Sequence, residues 1–357
     1  MIEPRLLEEL AEVLDAVGVL DQLDDVGAMD GGHIHRTWSV HAGGQRLVCQ
    51  ALNGQVFTDF AACEENLRRI DDYVRSVGEA AVRVPTLRRT ANGRVQVRST
   101  AGSTWRVSDY AVGTVSRAVA RSVDEAKQAA FAYGSYARML QGMPGPPLRH
   151  TIAGFHDLPA RARLFEASVA QDRIGRVMGA ASLVDTARAM QVEALEHVAE
   201  IRALPRINVH NDAKVSNVRF DERTGAARYI VDLDTTMPGS VLFDIGELLR
   251  TASTDAAEDE PDPATIRVHT DRIEAVVHGF VAGAGELIDS ATRRALPLAG
   301  PLMALENATR FLTDHLDGDV YFAIDKPGHN LVRAAAQLRV AQLLTDAADV
   351  VAVAALA

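Results

Sequence analysis

The stretch INVHNDAKVSN, residues 207–217, decides the fold because it joins a short apolar strand to three polar side chains at fixed spacing. Asp212 is a carboxylate that can orient a hydroxyl group and accept its proton, and Lys214 can reach a transferred phosphoryl group. Asn217, five residues after Asp212, offers a neutral oxygen to a metal ion. The spacing Asp-x-Lys-x-x-Asn is the one used in protein-kinase catalytic loops. The stretch therefore predicts a loop for phosphoryl transfer from ATP.

A second apolar strand, residues 228–231, ends at Asp232, fifteen residues after Asn217. A carboxylate at this place supplies the charged ligand that Mg²⁺ needs beside a neutral amide oxygen. Asp234 shares a face of the extended chain with Asp232, because alternate residues point the same way, and it is predicted as a second or outer-shell ligand. The alternative is a solvated polar hairpin in which Asp212 and Asn217 only cap turns.

Composition limits the class of protein. With 357 residues the chain is long enough for two lobes, and its formal net charge of -11 argues against a nucleic-acid partner, which would require a basic surface. No apolar run approaches the ~20 residues of a membrane span, and no secretory signal is visible at the N-terminus. Cys49 and Cys63 lack a metal or redox spacing and are expected to be buried thiols. These features predict a cytoplasmic enzyme without a membrane partner and leave its oligomeric state open.

Hydrophobic periodicity and turn residues predict an α+β, bilobal fold with a boundary near Val112 and Gly113. The smaller lobe, residues 1–112, is expected to bind the nucleotide and to combine helices with strand pairs. Its predicted helices are 4–17 and 58–76, and its predicted strands are 37–40, 46–49, 94–98 and 104–112. The larger lobe, residues 113–357, is expected to be mostly helical and to hold the catalytic loop and the substrate pocket. Its predicted elements are helices at 123–141, 179–203 and beyond 240, with a strand, loop and strand at 207–234.

Further segments along almost the full chain share their order and residues with one enzyme family. These segments are 32–37, 50–57, 65–66, 155–157, 210–217, 231–239, 243–244 and 310–322. On these residues the sequence resembles the aminoglycoside phosphotransferase and choline kinase superfamily, and more closely its N-acetylhexosamine 1-kinase branch. The resemblance implies a protein-kinase-like fold of two lobes. It also implies transfer of the ATP γ-phosphate, with Mg²⁺, to the anomeric hydroxyl of a sugar such as N-acetylglucosamine or N-acetylgalactosamine.

The predicted nucleotide site combines a glycine turn, the strand that follows it and the hinge between the lobes. Gly31 and Gly32 allow backbone N–H groups to approach phosphates closely, although a plain turn is the alternative. Thr37 lies on the following strand. Tyr110 and Val112 belong to the hinge, whose backbone is expected to hydrogen-bond to adenine.

The resemblance places Gln50 where protein kinases have a strand lysine for the α- and β-phosphates. A neutral amide donates a hydrogen bond but brings no charge. Relatives commonly follow it with a longer polar side chain, whereas this sequence has Ala51. Glu65 is either a partner behind Gln50 or an exposed helix residue. How the smaller lobe anchors phosphates is therefore an open question at this point.

The resemblance also implies an acceptor site and residues that support the catalytic loop. The residues assigned to the acceptor are His33, Asn211, Thr251, Arg310 and Tyr321, with 155–157 beside them. His210 and Asp244 are assigned to the support of the loop, and Asp244 would also suit the start of a helix. Thr251 stands where relatives typically have an aromatic residue, so the pocket is predicted to be wider or more polar than theirs.

Three other interpretations follow from the same residues. A kinase of a different polyol, such as a C7-cyclitol or an aminoglycoside, is favoured by Thr251. A non-catalytic pseudokinase is favoured by the missing strand lysine, but the intact Asp212, Asn217 and Asp232 argue against it. A protein kinase is disfavoured because the sequence has no Asp-Phe-Gly, no activation segment and no Ala-Pro-Glu.

Overall fold

The computed structural model describes residues 3–19, 23–29, 34–78 and 82–356. The predicted glycine turn at Gly31 and Gly32 and the predicted sugar contact His33 lie outside these ranges, so their assignments stay predictions. No helix in the described ranges is both long and apolar enough to cross a membrane.

A five-stranded antiparallel sheet occupies the first part of the chain, in the order β1-β2-β3-β5-β4. Its strands are β1 (Leu23–Ala28), β2 (Arg36–Ala42), β3 (Gln45–Ala51), β4 (Val97–Arg98) and β5 (Thr104–Asp109). The hairpin between β2 and β3 turns on Gly43 and Gly44, whose φ angles of 56° and 68° suit a two-residue connection. The hairpin predicted from the sequence is therefore confirmed.

The two faces of this sheet have different surroundings. On one face, α1 (Pro4–Ala16) packs its apolar side chains against Trp38 and Trp105. Because side chains alternate along a strand, the opposite face carries three polar residues that pair across neighbouring strands. These residues are Thr37, Gln50 and Arg106. The sheet thus presents polar groups to the loops that contain the predicted catalytic residues.

The rest of the chain is mostly helical. The helices are α2 (Phe60–Val77), α3 (Val123–Leu140), α4 (Leu158–Gln171), α5 (Ala181–Glu196), α6 (Val198–Ala203), α7 (Val241–Ala252), α8 (Thr270–Ala284), α9 (Ser290–Asp317), α10 (His329–Asp346) and α11 (Ala348–Leu356). The 28-residue α9 packs against α4, α7, α10 and α11. A small antiparallel sheet with a mostly helical remainder confirms the predicted α+β class, while the division at residue 112 stays a prediction.

Short strands position the predicted catalytic loop. β7 (Ile207–Val209) pairs with β10 (Met237–Gly239), and β8 (Val218–Asp221) pairs with β6 (Thr114–Val115) and β9 (Ala227–Ile230). Residues 210–217 connect β7 to β8, and the segment after β9 begins at Val231. The N–H of Val231 donates to the carbonyl of Asn217 at 2.9 Å, so the two segments that carry the predicted site run side by side.

Candidate active site

The ring of His210 ties the catalytic loop to the segment after β9. Its Nε2–H donates to the carbonyl of Val231 at 3.1 Å, and its Nδ1 accepts the N–H of Asp212 at 3.2 Å. These two partners assign the ring proton to Nε2. The ring is fully buried and packs edge-on against Tyr133, so it has little freedom to release either bond.

The carboxylate of Asp244, in the first turn of α7, accepts two backbone N–H groups of the same loop. His210 donates at 3.0 Å and Asn211 at 2.7 Å. Burial raises the pKa of Asp244 to about 6, because the two donors replace only part of the water that would solvate the charge. This is the position at which the resemblance implied support for the loop.

Asn211 has a left-handed backbone conformation, with φ 63°, and its side chain forms hydrogen bonds within the protein. Its Nδ2 donates toward the carbonyls of Val209 (3.2 Å), Thr235 (3.0 Å) and Met237 (3.1 Å). The residue is buried. Its amide donors join the catalytic loop to β10 and to the segment before it, and its assignment as a substrate contact stays a prediction.

The side chains of Asp212, Lys214 and Asn217 meet at one point. Lys214 Nζ lies 3.4 Å from Asp212 Oδ2, and Asn217 Nδ2 donates to the same oxygen at 3.1 Å. Burial acts to raise the pKa of Asp212, but the positive charge of Lys214 and its neighbours outweighs it and lowers the pKa to about 2. The carboxylate is therefore ionised at neutral pH, which suits the orientation of a hydroxyl group more than early proton abstraction.

Asp232 is a carboxylate without a hydrogen-bond donor. Among the residues the structure describes, it accepts no hydrogen bond and forms no ion pair, and burial followed by the charges of Asp234 and Asp212 raises its pKa. Asn217 directs its amide N–H₂ to Asp212, which leaves its Oδ1 available. A carboxylate without a donor beside a free amide oxygen fits Mg²⁺, which takes few protein ligands and adds water and phosphate oxygens. The described residues contain no cluster of three or more His, Cys, Asp or Glu arranged around a metal.

Asp234 is engaged by an arginine. Arg106 Nη1 and Nη2 donate to its two oxygens at 2.6 and 2.7 Å, and Arg106 Nη2 also donates to Gln50 Oε1 at 2.7 Å. Both charged residues are buried. A bidentate ion pair thus neutralises this carboxylate, and the assignment of Asp234 as a second or outer-shell metal ligand stays a prediction.

Arg106 is a site residue that sequence reasoning missed. It lies opposite Gln50 on β5, so the sheet carries a buried cation one strand away from the strand that has the lysine in protein kinases. Glu65 does not face it, since Glu65 is partly exposed and lies 3.5 Å from Arg149. The sequence feature that could have indicated Arg106 as a site residue is its position in the middle of the strand Thr104–Asp109, where a buried arginine needs a charged partner.

A cavity of about 210 Å³ lies between the sheet and the two loops. Its polar lining comes from both sides and includes Thr37, Gln50, Arg106, Asn217 and Asp232. Tyr110 and Ala111 also line it, whereas Val112 is 73% exposed and donates its own N–H to the carbonyl of Tyr110. The predicted contact at Val112 stays a prediction, and the N–H of the buried residue Ala111, which has no partner in the described part of the chain, is a second candidate for it.

A second cavity, of about 80 Å³, shares Thr37, Gln50 and Asp232 with the first. It brings Asp212 and Lys214 together with Arg310 of α9. Its apolar wall consists of the rings of Phe155, Phe311 and Phe322. The cavity thus places a carboxylate, two cations and an aromatic wall beside the predicted metal position.

Thr251 and Tyr321 lie farther from the meeting point of the two cavities. Thr251 lines a third cavity of about 320 Å³, which also contains Lys214. Its hydroxyl donates to the carbonyl of Glu247 at 2.7 Å and accepts the N–H of Val215 at 3.3 Å. Tyr321 is 41% exposed, and its ring lies 5.7 Å from the guanidinium of Arg310.

Of the predicted segment 155–157, only Phe155 lines the cavity that contains Asp212. The buried His156 bridges two parts of the protein instead: its Nδ1 lies 2.9 Å from Glu306 Oε1 and its Nε2 lies 2.7 Å from the carbonyl of Asn211. Asp157 begins α4 by accepting the N–H of Ala160. His156 and Asp157 are therefore structural neighbours of the site.

The sequence matches the phosphotransferase enzyme family over residues 2–279, and the chain belongs to that family. It is similar in structure to the microcompartment-associated aminopropanol kinase, with a TM-score of 0.62 and 15% identity over 98% of both chains. An aminoglycoside phosphotransferase from Alicyclobacillus acidocaldarius has a TM-score of 0.59 and 14% identity over 98% of this chain and 96% of that one. A spectinomycin phosphotransferase, solved with ADP and spectinomycin, has a TM-score of 0.59 and 11% identity over 96% of this chain and 98% of that one. At these identities the likeness establishes the kinase-like fold.

Proposed function

We propose that this protein transfers the γ-phosphate of ATP to a hydroxyl group of a small sugar or polyol. The observation that carries the proposal is that Asp212, Lys214 and Asn217 contact one another beside Asp232, which lines both the cavity of about 210 Å³ and the second cavity with an aromatic wall. Membership of a phosphotransferase family agrees with this chemistry. The predicted nucleotide-binding part, residues 1–112, would supply Thr37 and Gln50.

Each residue at the meeting point has a role in this proposal. Asp212, ionised at neutral pH, orients the acceptor hydroxyl and takes its proton as the phosphoryl group is transferred. Lys214 stabilises the charge that develops on that group. Asn217 and Asp232 hold Mg²⁺, which, when bound, neutralises the phosphate oxygens. The backbone of Ala111 and the side chain of Tyr110 face the adenine end of the cavity.

We propose the anomeric hydroxyl of an N-acetylhexosamine or a related sugar as the first acceptor to test, because the sequence resemblance points to that branch. Another polyol, such as a C7-cyclitol or an aminoglycoside, is the second candidate. The observation that favours it is the cavity of about 320 Å³ beside Thr251, at a position where an aromatic side chain would occupy space.

The test is ATP consumption by the purified protein over hexosamines, neutral sugars, cyclitols and aminoglycosides, followed by phosphorus NMR of the product. A phosphate on the anomeric oxygen supports the sugar 1-kinase, and a phosphate elsewhere overturns it.

Asp212→Asn should lower turnover by roughly 10² to 10⁴ while ATP still binds. The control Asp185→Asn, at a side chain that is 79% exposed, should keep the wild-type rate. Near wild-type turnover in Asp212→Asn would show that another group orients the hydroxyl.

A further inference from the structure

The guanidinium of Arg310 is held by aromatic rings and not by acids. It lies over the ring of Phe155 at 5.3 Å, of Phe322 at 5.3 Å and of Tyr321 at 5.7 Å. Within the described ranges it forms no hydrogen bond and no ion pair. Contact with aromatic faces does not use N–H donors, so the five donors of this group remain available.

The aromatic wall around Arg310 is itself fixed. The carboxylate of Asp314 accepts the backbone N–H groups of Val320 (2.9 Å), Tyr321 (2.8 Å) and Phe322 (2.9 Å). Because the carboxylate holds three successive residues, the rings of Tyr321 and Phe322 are kept in one arrangement. Arg310 is thereby placed in the cavity before any ligand arrives, and its ordering costs little on binding.

Two of the four cations that line the cavity with Asp212 have no carboxylate partner in the described part of the chain, and the carboxylate of Asp232 in the same lining is assigned to the metal. Lys214 is matched by Asp212 at 3.4 Å. Arg250 is matched by Glu247 at 2.6 Å and Glu258 at 3.1 Å. Arg310 and Arg333 are different, since neither has a carboxylate partner in the described part of the chain. Arg333 donates instead to the carbonyl of Ala323 at 2.9 Å and to Asn330 Oδ1 at 3.1 Å.

A third arginine, Arg161, lies near Arg310 outside the lining of this cavity. Burial and then the charge of Arg310 lower the pKa of Arg161, against the charges of Glu306 and Asp157, which act to raise it. Arg161 Nε is buried without a partner, and its Nη2 reaches only the carbonyl of Phe155 at 3.3 Å. Arg310 and Arg333, which lack a carboxylate partner in the described part of the chain, favour a ligand that supplies negative charge.

The nucleotide does not account for this charge. Arg310, Arg333 and Phe155 are absent from the lining of the cavity assigned to ATP, and they line the cavity assigned to the acceptor. The acceptor is therefore the ligand whose chemistry has to match Arg310.

We propose that the acceptor carries an anionic group, a carboxylate or a phosphate, that binds Arg310; this inference rests on the phosphotransferase activity proposed above. The planar guanidinium can donate two parallel hydrogen bonds to either oxyanion while the aromatic rings hold its faces. A polycationic aminoglycoside would meet Arg310 and Arg333 with like charge, so this inference makes it the least favoured of the acceptors proposed above.

The test compares acceptors of one skeleton: glucose, glucuronic acid, glucose 6-phosphate and glucosamine, each with saturating ATP and Mg²⁺. We expect at least one of the two anionic acceptors to exceed glucose in kcat/KM by about 10-fold to 100-fold, and glucosamine to be the poorest. The two anionic arms separate a carboxylate site from a phosphate site. Turnover of glucose equal to or better than that of both anionic sugars would overturn the inference and leave the phosphotransferase activity standing.

Arg310→Gln should raise KM for the preferred anionic acceptor by about 10-fold or more and change KM for glucose little. Arg163→Gln, at an exposed arginine of α4, is the matched control and should change neither value. An equal loss for both acceptors in Arg310→Gln would mean that the residue is only structural.

If no sugar supports ATP consumption, the proposed function fails, and the rise in Tm on adding each sugar decides the inference separately. A rise with an anionic sugar in the wild type but not in Arg310→Gln supports it, and any other pattern overturns it.

Discussion

The carboxylate of Asp232 is expected to lower the stability of the metal-free protein and, as the proposed metal ligand, to be required for ATP turnover. This carboxylate has no donor in the described ranges and is repelled by Asp234 and Asp212. We expect Asp232→Asn to raise the free energy of unfolding of the metal-free protein by about 1 kcal/mol, because it removes a half-buried charge that has no donor in the described ranges. Asparagine also tolerates the left-handed φ of 64° at this position.

The same variant should lose more than about 100-fold in ATP turnover, because the charged metal ligand is gone. Urea denaturation with EDTA and a steady-state assay with Mg²⁺ measure the two effects. The control Asp24→Asn, at an exposed residue of β1, should change neither quantity. A lower stability of Asp232→Asn would mean that the carboxylate has a stabilising partner in the apo protein.

Arg106 makes a second prediction at the scale of one residue. Arg106→Met leaves the carboxylate of Asp234 buried without its bidentate partner, and we expect a loss of about 3 kcal/mol in the free energy of unfolding. The double variant Arg106→Met with Asp234→Leu should recover part of this loss, because it removes the stranded charge. Denaturation by urea measures both, with Arg98→Met on the exposed side of β4 as the control. A double variant as unstable as the sum of the two single variants would contradict this account.

These residues also show how far the site could be predicted from the sequence. The sequence predicts Asp212, Asn217 and Asp232 as one site because two short strands and their loops set the spacing locally. The pairing of Arg106 with Asp234 joins residues 128 positions apart, and that of His156 with Glu306 joins residues 150 apart. No local pattern encodes such a contact. The sequence therefore assigns Asp234 to the metal from its neighbour Asp232, whereas its ion pair with Arg106 of β5 becomes visible only in the structure.

At the scale of elements, His156 and Glu306 connect the start of α4, the middle of α9 and the catalytic loop. Burial opposes the charge on His156, but the carboxylate of Glu306 outweighs it and raises the pKa of His156. A raised pKa in the folded state means that the stabilisation is complete below the ordinary histidine value of about 6.5 and is lost as the pH rises through the folded value.

We therefore expect the difference in unfolding free energy between the wild type and His156→Gln to be largest near pH 6 and to shrink toward pH 9. Urea denaturation over this range measures it. The exposed His197, altered to Gln, should give no such trend. A difference that stays constant with pH would show that His156 contributes through packing and neutral hydrogen bonds.

The contact between α3 and α8 depends on glycine. A Cβ atom at Gly279 would collide with the backbone carbonyl of Lys127, so the two helices could not keep their present distance. We expect Gly279→Ala to lower the free energy of unfolding by about 2 kcal/mol, although alanine is the better helix former. Gly179→Ala, where an added Cβ meets nothing, is the control and should be neutral or slightly stabilising. Equal thermal stability of the two variants would contradict the close approach.

The elements differed in how well the sequence predicted them. α1, α2 and α3 have clear apolar spacing and were predicted within two residues of their observed ends. β1 was missed because Asp24 and Asp25 interrupt the alternation expected of a strand, and only pairing with β2 orders it. α4 was missed because its few buried side chains are scattered among small and charged residues. Tertiary contacts, and not local preference, form these two elements.

For the whole molecule, the cavity assigned to the nucleotide is bounded by β2, β3 and β5 on one side and by the loops with Asn217 and Asp232 on the other. A ligand in this cavity stabilises the native state as a whole, since either side alone offers only part of the site. With Mg·ADP at about 100 times its Kd, the free energy of unfolding should rise by about 2.7 kcal/mol and Tm by roughly 5 °C. EDTA should remove most of this rise in the wild type, and Asp232→Asn should show little of it at the same concentrations. Differential scanning calorimetry measures the Tm of the wild type alone, with Mg·ADP and with ADP and EDTA, and that of Asp232→Asn with and without Mg·ADP. An equal Tm with ADP alone and with Mg·ADP would mean that Asn217 and Asp232 hold no metal in the nucleotide complex.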